Sequence, residues 1–181
     1  METRTQKQRD IFVEGAIDPS LLAESVAKHA TRTDIGAHEI FLGQVRADLQ
    51  PSTVIPTDHP GQRAGGEDNA QPSAVQAIEY TAYRDMALEQ MTVIREEAFS
   101  RWPSMTCLHV HHSLGVVAAG QLCFMVFASA PHRRAAREAV AYVVDRIKAD
   151  LPIFGKEILA DSSHVWKVNR SVDTVGRPTD R

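Results

Sequence analysis

Apolar residues recur along the chain with two periods, one typical of helices and one typical of strands. A spacing of three or four residues predicts two long helices, one of about 17 residues after Tyr83 and one from about Pro131 to Asp150. A shorter helix is predicted within residues 17–30, with Asp18 as its N-cap and Pro19 at its first helical position. The predicted buried sides of the two long helices are Ala87, Met91, Ile94 and Ala98, and Ala136, Val140, Val143 and Ile147.

Alternation of apolar and polar residues predicts strands around these helices. The segments are "GAHEIFLGQVR", "AVQAIEYTAY", "MTCLHVHH", "GQLCFMVFASA" and the two short strands of "IFGKEILADSSHVWKV". We interpret "SLGVVAA", between the third and fourth segments, as a turn. Strands joined by hairpins, with helices on one face, predict an α+β fold in which a mainly antiparallel sheet forms a sandwich with the helices.

Two segments have the composition of irregular chain. Residues 48–74 are rich in Pro, Gly, Gln and Asp and show neither period, so we expect a mobile loop inserted between two strands. We expect the polar tail, residues 170–181, to fray. The 181 residues then form a single domain, residues 1–181, whose core occupies about residues 10–169.

Charge and composition exclude several functional classes. A formal net charge of −3 argues against a broad nucleic-acid-binding surface, so any anion site must be local. Cys107 and Cys123 each lie inside an apolar run and form no CxxC motif, which is typical of buried thiols in a reducing compartment. The opening residues lack an apolar signal core, and no apolar run reaches membrane-spanning length. We expect a soluble, cytoplasmic protein.

Basic residues stand at two places where anions bind. "SAPHRRAAREA" puts His132 and Arg133 at the N-terminal end of the second long helix, where backbone N–H groups attract anions. For these two residues alone, a solvated basic turn is the alternative. Arg46 ends the strand "FLGQVR" just before the predicted loop, a weak signal because arginines are common at strand ends.

The segment "CLHVHH" offers metal ligands on one strand. Alternation places Cys107, His109 and His111 on one face and His112 on the other. Cysteine and histidine bind zinc, but three ligands from one strand make a poor tetrahedron without a partner elsewhere. We therefore predict an ordinary strand, with neither a metal ion nor another cofactor.

Two lysines flank the corner between the second long helix and the next strand. Lys148 lies in "DRIKAD" and Lys156 in "LPIFGKE", and Glu157 follows directly. "FGKE" is not a P-loop, because the Gly-rich lead and the following Ser or Thr are missing. Lysines also end helices well and are usually solvated, which is the alternative interpretation of each one taken alone.

Four ordered motifs together resemble the catalytic (large) subunit of molybdopterin synthase. They are "GAHEIFLGQVR", "IEYTAYRDMA", "HHSLGVVAAGQLCFMVFASAPHRRAAREA" and "IKADLPIFGKE". The resemblance implies an α/β hammerhead fold and a homodimer of large subunits, each holding a ubiquitin-like small subunit, in a heterotetramer. It also implies the activity, in which a thiocarboxylate on the small subunit donates sulfur to cyclic pyranopterin monophosphate and forms the dithiolene of molybdopterin.

The resemblance also implies which residues act. Gln44, Val45 and Arg46 match the substrate-binding strand end, while His132 and Arg133 match the anion site. Lys148 matches the first essential lysine, and Lys156 is our candidate for the second. We add Glu157, which follows Lys156, to the substrate-binding residues.

The chain departs from the family pattern at two positions. Ser113 replaces an arginine in the "HRxG" turn, and Gly155 stands where the second essential lysine is usual. A shift of one residue moves a strand side chain to the opposite face. We hypothesise that Gly155 permits a bulge that returns Lys156 to the site. Lys167 is the fallback candidate.

Two other functions remain open. One is a partner-binding protein that has lost catalysis with the displaced lysine, and the other is an unrelated phosphate-binding enzyme that uses the His132–Arg133 helix end.

The length of the second long helix bears on assembly. His132 and Lys148 are 16 residues apart, roughly 24 Å along one helix, so a single substrate cannot contact both within one chain. We therefore expect a homodimer with shared sites.

Overall fold

The computed structural model describes residues 10–50, 72–161 and 163–166. Three helices and eight strands lie within these ranges. In chain order they are β1 (Phe12–Glu14), α1 (Ser20–Ala27), β2 (Ala37–Gln44), β3 (Leu49–Gln50), β4 (Ser73–Ala82), α2 (Arg84–Arg101), β5 (Cys107–Ala118), β6 (Leu122–Ala130), α3 (Arg133–Asp150), β7 (Ile153–Leu159) and β8 (His164–Trp166).

The strands form one sheet in the order β2-β6-β5-β4-β7-β8, with β1 beside β5 and β3 beside β4. Every pairing is antiparallel except that of β1 with β5. The expected fold class, a mainly antiparallel sheet packed with helices, is confirmed. The strand β1 was not predicted, because three residues are too few to show a period.

The core lies between the sheet and the two long helices. The predicted stripes of α2 and α3 are buried as expected, and they form one cluster with Leu108, Val110, Phe124 and Val126 of the central strands. These strand residues alternate with Met125 and Phe127, which are also buried but lie on the other face of β6. The sheet is therefore covered on both faces at β6.

The ends of two helices differ slightly from the prediction. α1 begins at Ser20 rather than Pro19, although Asp18 does accept a hydrogen bond from the Ser20 amide, at 2.8 Å. α3 begins at Arg133, with His132 in an extended conformation as its N-cap, so Pro131 precedes the helix. His132 and Arg133 nevertheless lie at the N-terminal end of α3, as predicted.

The predicted turn "SLGVVAA" is wrong, because β5 continues through it to Ala118. The first half of β5 pairs with β6 up to His112, and the second half pairs with β4 from Gly115 onward. Gly115 adopts a positive φ of 74°, which few other residues tolerate. The glycine therefore marks the point where the strand changes partners.

The predicted loop at residues 48–74 is shorter than expected at both ends. Leu49 and Gln50 form β3, and β4 already begins at Ser73, since Gln50 and Ser73 are cross-strand partners. Residues 51–71 and the tail at 170–181 lie outside the described residues. Within the described part of the chain, no helix is both long and apolar enough to cross a membrane.

We predict that residues 51–71 are dispensable for folding. Their composition offers little apolar surface to bury, and a loop of two to five residues is enough to close the β3–β4 hairpin. Replacing them with a short Asn-Gly turn should leave the melting temperature nearly unchanged.

The control is the same turn in place of residues 48–74. This variant also removes β3 and the hydrogen bond from Gln50 to Glu157, so its melting temperature should fall. A fall of many degrees in the shorter replacement would instead show that residues 51–71 pack on the body.

Candidate active site

Lys148 lies in the last turn of α3, where the helix dipole favours a cation. Its side chain is exposed, and its Nζ lies 5.3 Å from the centre of the Phe124 ring. A cation at that distance is attracted to the ring face. Phe124 is itself 1% exposed, so the ammonium group lies where an apolar core surface meets solvent.

Beneath Lys148, three aromatic side chains from three strands contact one another. His112 lies 5.3 Å from Phe124 and 5.2 Å from Tyr80, measured between ring centres. His112 Nδ1 lies 2.9 Å from the Ser113 carbonyl, which can only accept, so Nδ1 carries the proton in the neutral ring. The Tyr80 hydroxyl donates to the Cys123 sulfur at 3.4 Å. Together these contacts form the floor of the site beneath Lys148.

Burial shifts the titration of both polar rings. Burial lowers the pKa of His112 to about 4, and the nearby charge of Lys148 acts in the same direction, against the hydrogen bond to Ser113. Burial raises the pKa of Tyr80 far above its usual range, and the contact with Cys123 and the charge of Glu157 add to this. Both rings are therefore neutral at pH 7, and Lys148 has no positive neighbour in His112.

The C-terminal end of β2 lies next to Phe124 of β6. Gly43 is the cross-strand partner of Phe124, over which Lys148 lies, and Gln44 and Arg46 follow Gly43 within three residues along the chain. Val45 is buried and is fixed by backbone hydrogen bonds to Gly120 and Gln121. Arg46 pairs with Asp48 at 2.5 Å, with 76% of its side chain exposed. Arg46 can therefore exchange Asp48 for an anionic ligand at small cost.

The hypothesis of a bulge at Gly155 is wrong. The register between β4 and β7 is continuous from Ile153 to Ile158, and the irregularity in this pair lies near Val75. Gly155 faces the buried side opposite Tyr80, so Lys156 points to the opposite face, where its Nζ lies 3.5 Å from Glu79.

Glu157 lies on the buried side with Gly155. It is 6% exposed and accepts a hydrogen bond of 2.6 Å from Gln50. Its charge acts on Tyr80, which places it at the floor of the site. The fallback candidate, Lys167, lies outside the described residues.

The second departure from the family pattern, Ser113, is fully buried beside Val13 of β1. Its hydroxyl has no hydrogen-bond partner among the described residues. No positive charge therefore stands at this position of the site.

His132 and Arg133 lie at the opposite end of α3 from Lys148. Both are exposed, and the first turn of α3 contains no acidic residue that would neutralise its N–H groups. α3 is unbroken over 18 residues, so it holds its N-terminal end roughly 24 Å from Lys148. The structure thus brings Gln44, Arg46, Glu157 and Lys148 to one end of the molecule and leaves His132 and Arg133 at the other.

Sequence reasoning missed Tyr80 and Phe124 as parts of the site. Both belong to apolar runs and are typical of core residues. The available signal was His112, which alternation sets on the opposite face of β5 from Cys107, His109 and His111 and which the structure buries.

Comparison with known proteins identifies the family of the chain. Residues 62–150 match the family model described as "MoaE protein". The molybdopterin synthase catalytic subunit of Taeniopygia guttata is 38% identical over 135 residues, which cover 75% of this chain and 73% of the relative. The chain belongs to the family of molybdopterin synthase catalytic subunits.

Other members of the family differ in length. The catalytic subunit of Drosophila virilis is 39% identical over 135 residues, and this chain spans 33% of its length. The catalytic subunit 1 of Aedes aegypti is 37% identical over 105 residues, which are 57% of this chain and 68% of that protein.

Solved structures share the fold of this family member. The MoaE protein of Burkholderia ambifaria is 26% identical with a TM-score of 0.61, covering 92% of this chain and 95% of that one. Molybdopterin synthase of Staphylococcus aureus is 24% identical with a TM-score of 0.67, covering 91% and 99%. A third structure, 21% identical with a TM-score of 0.64 over 88% and 90%, is the complex of subunits 1 and 2 of the molybdopterin-converting factor from Helicobacter pylori.

We predict that His112 makes the protein less stable in acid. Its pKa is about 4 in the fold and 6.5 when unfolded, so its contribution is complete above pH 6.5 and is lost as the pH falls toward 4. The loss should reach about 3 kcal/mol in the free energy of unfolding, measured by urea titration at each pH.

The variant His112→Asn should flatten this dependence, because an amide can still donate to the Ser113 carbonyl but does not titrate. The control is His164→Asn, which removes an exposed histidine of β8. Equal slopes for wild type and His112→Asn would contradict the assignment.

Proposed function

We propose that this chain is the large subunit of a molybdopterin synthase and transfers sulfur to cyclic pyranopterin monophosphate. The donor would be the thiocarboxylate of a ubiquitin-like small subunit, and the product would be the dithiolene of molybdopterin. Membership of the family supports this proposal, as does the two-subunit complex of the Helicobacter pylori neighbour. We place the enzyme in the cytoplasm.

The observation that carries the proposal is the position of Lys148. The reaction joins an anionic sulfur nucleophile to a substrate that carries a phosphate, and its intermediates are also anionic. A fixed ammonium stabilises developing negative charge most where water is partly excluded. The Phe124 ring covers one side of the exposed Lys148 ammonium group, and neutral His112 does not repel it.

The remaining site residues would bind the substrate. Arg46 offers a guanidinium fork for phosphate oxygens or a pterin edge, and Gln44 offers an amide beside it. Glu157 would support the floor through Tyr80. His132 and Arg133 would bind the phosphate at the N-terminal end of α3.

Because α3 separates Lys148 from His132, we propose a two-fold homodimer with two composite sites. Each site would take Lys148 from one subunit and the His132–Arg133 end from the other. With one small subunit bound to each large subunit, the assembly would be a heterotetramer. The unbroken course of α3 supports this arrangement, since a bend would be needed to bring both ends to one substrate.

One observation favours a second function, a partner-binding protein without catalysis. Gly155 stands where the family has its second lysine, and Lys156 points to the opposite face of the sheet. Such a protein would still bind the small subunit but would not form the dithiolene. The assay below separates this function from the first.

We predict that Lys148→Ala abolishes dithiolene formation while leaving binding of the small subunit nearly intact. Lys156→Ala should keep most of the rate, because its side chain lies on the other face and pairs with Glu79. The measurement is conversion of cyclic pyranopterin monophosphate by purified enzyme and thiocarboxylated small subunit.

The control variant is Lys28→Ala, which removes an exposed lysine paired with Glu24 in α1. An inactive wild type that still binds the small subunit would support the second function. An inactive Lys156→Ala would contradict the assignment of Lys156 to the far face, and Lys167→Ala tests the fallback candidate.

A second prediction concerns the shared sites. Lys148→Ala and Arg133→Ala proteins are each expected to be inactive alone. When they are unfolded together and refolded as mixed dimers, one site carries both lesions and the other carries none. Up to half of the sites in a mixed dimer should therefore work.

The matched control is wild type refolded with the double variant Lys148→Ala/Arg133→Ala. If sites are shared, both sites of that mixed dimer carry one lesion and the mixed dimer is inactive. If each site lies within one chain, the mixed dimer of the two single variants is inactive and the mixed dimer of wild type and double variant keeps one working site. That outcome would rule out the composite site.

A further inference from the structure

A second cluster of reactive side chains lies on the face of the sheet opposite α2 and α3. Its centre is Phe127, which is fully buried in β6. The rings of His29, His38 and His109 lie 5.7, 5.1 and 5.5 Å from the Phe127 ring centre. Cys107 lies beside them, two residues before His109 on β5. None of these residues belongs to the proposed active site.

Three of these residues offer ligand atoms to one point. The coordinating atoms of His29, Cys107 and His109 all lie within 4.8 Å of one another. His29 comes from the end of α1, while the other two come from β5. The sequence predicts an ordinary strand here, because three ligands from one strand make a poor tetrahedron without a partner elsewhere. In the structure, the third residue of the group is not His111 of the same strand but His29, from the end of α1.

Hydrogen bonds already orient these ligands. His29 Nδ1 lies 2.5 Å from the Ser25 carbonyl, so it carries the proton and Nε2 carries the lone pair. Metal-bound histidines are usually held in this way by a backbone carbonyl. Ser129 contacts both the Cys107 sulfur, at 3.2 Å, and His38 Nδ1, at 2.7 Å. A serine beside the thiol can donate to the thiolate once a metal has displaced the thiol proton.

We propose that His29, Cys107 and His109 bind a zinc ion. Two imidazoles and one thiolate suit a borderline-soft divalent ion, and a water molecule would complete the tetrahedron. Binding converts the Cys107 thiol to a thiolate and releases its proton to solvent. All three ligands are partly buried, which leaves access for the ion and for that water.

The bound ion would tie α1 to the sheet. Of the eight residues of α1, Ser25 is the buried one, so the helix has little apolar anchorage of its own. A metal bound to His29 would join the end of α1 to β5 and hold both against Phe127. This role is independent of the sulfur-transfer function, and the site lies on the other face of the sheet from Lys148.

The test is metal binding by the full chain after chelator treatment, using Co²⁺ as the probe and Zn²⁺ as the competitor. We expect one Co²⁺ per chain, a thiolate-to-cobalt charge-transfer band, and the d–d spectrum of tetrahedral cobalt. Zn²⁺ should displace the cobalt and raise the melting temperature. It should also slow amide hydrogen exchange in α1.

Variants assign the ligands. Cys107→Ser should abolish the charge-transfer band, and His29→Asn and His109→Asn should each weaken binding by more than about 100-fold. Ser129→Ala, which removes a supporting contact, should weaken it by about 10-fold. Cys123→Ser and His164→Asn are the matched controls and should leave the spectrum unchanged.

Three results would overturn the proposal. They are the absence of stoichiometric binding, a charge-transfer band that persists in Cys107→Ser, and binding that is lost in His164→Asn but kept in His29→Asn. Dithiolene formation does not enter these measurements, so their failure and the failure of the sulfur-transfer proposal are distinguishable.

Discussion

The unbroken hydrogen-bonded course of α3 sets the distance on which the proposed site depends. Its sequence contains no Gly or Pro, and an alanine- and valine-rich stripe packs on the sheet along its whole length. Polar contacts tie its outer side to α2, where Arg146 and Tyr142 both bond Glu97 and Arg101 lies over the Tyr142 ring at 4.4 Å. The helix ends at Asp150, and its C-cap, Leu151, is extended and precedes Pro152. A rod fixed in this way cannot bring its two ends to one small substrate.

The burial of β6 on both faces has a second consequence. A strand between β2 and β5 whose side chains are covered above and below must have a layer on each side. On one side the layer is α2 and α3, which place Lys148 over Phe124. On the other side, the layer around Phe127 includes His29, His38 and His109. Phe124 and Phe127 of the same strand therefore pack against two separate candidate sites, one on each face of the sheet. A change on one face reaches the other only through the backbone of β6.

The periodicity of apolar residues predicted the helices and the side of each helix that is buried. The stripe of α2 was right residue for residue, because a helix buried on one side repeats its apolar residues every 3.6 positions. The strand β5 was predicted too short, because Gly115 has the signature of a turn but serves a change of strand partner. The approach of His29 to Cys107 and His109 joins residues about 80 positions apart, and no pattern within one element contains it. The face of Lys156 followed from alternation alone, and the bulge proposed to reverse it does not form.

Tyr80 shows what the departure at Gly155 means for the chemistry. Its cross-strand partners are Gly115 on one side and Gly155 on the other, so neither of the two residues directly opposite it carries a side chain. Burial raises the pKa of Tyr80, so it remains a neutral phenol where the family pattern has a second ammonium group nearby. A neutral donor stabilises an anion less than a full charge does. With Lys156 turned away, Lys148 is the lysine that the described part of the chain places at this end of α3. In the proposed reaction it would therefore carry more of the charge stabilisation than in a family member with two lysines.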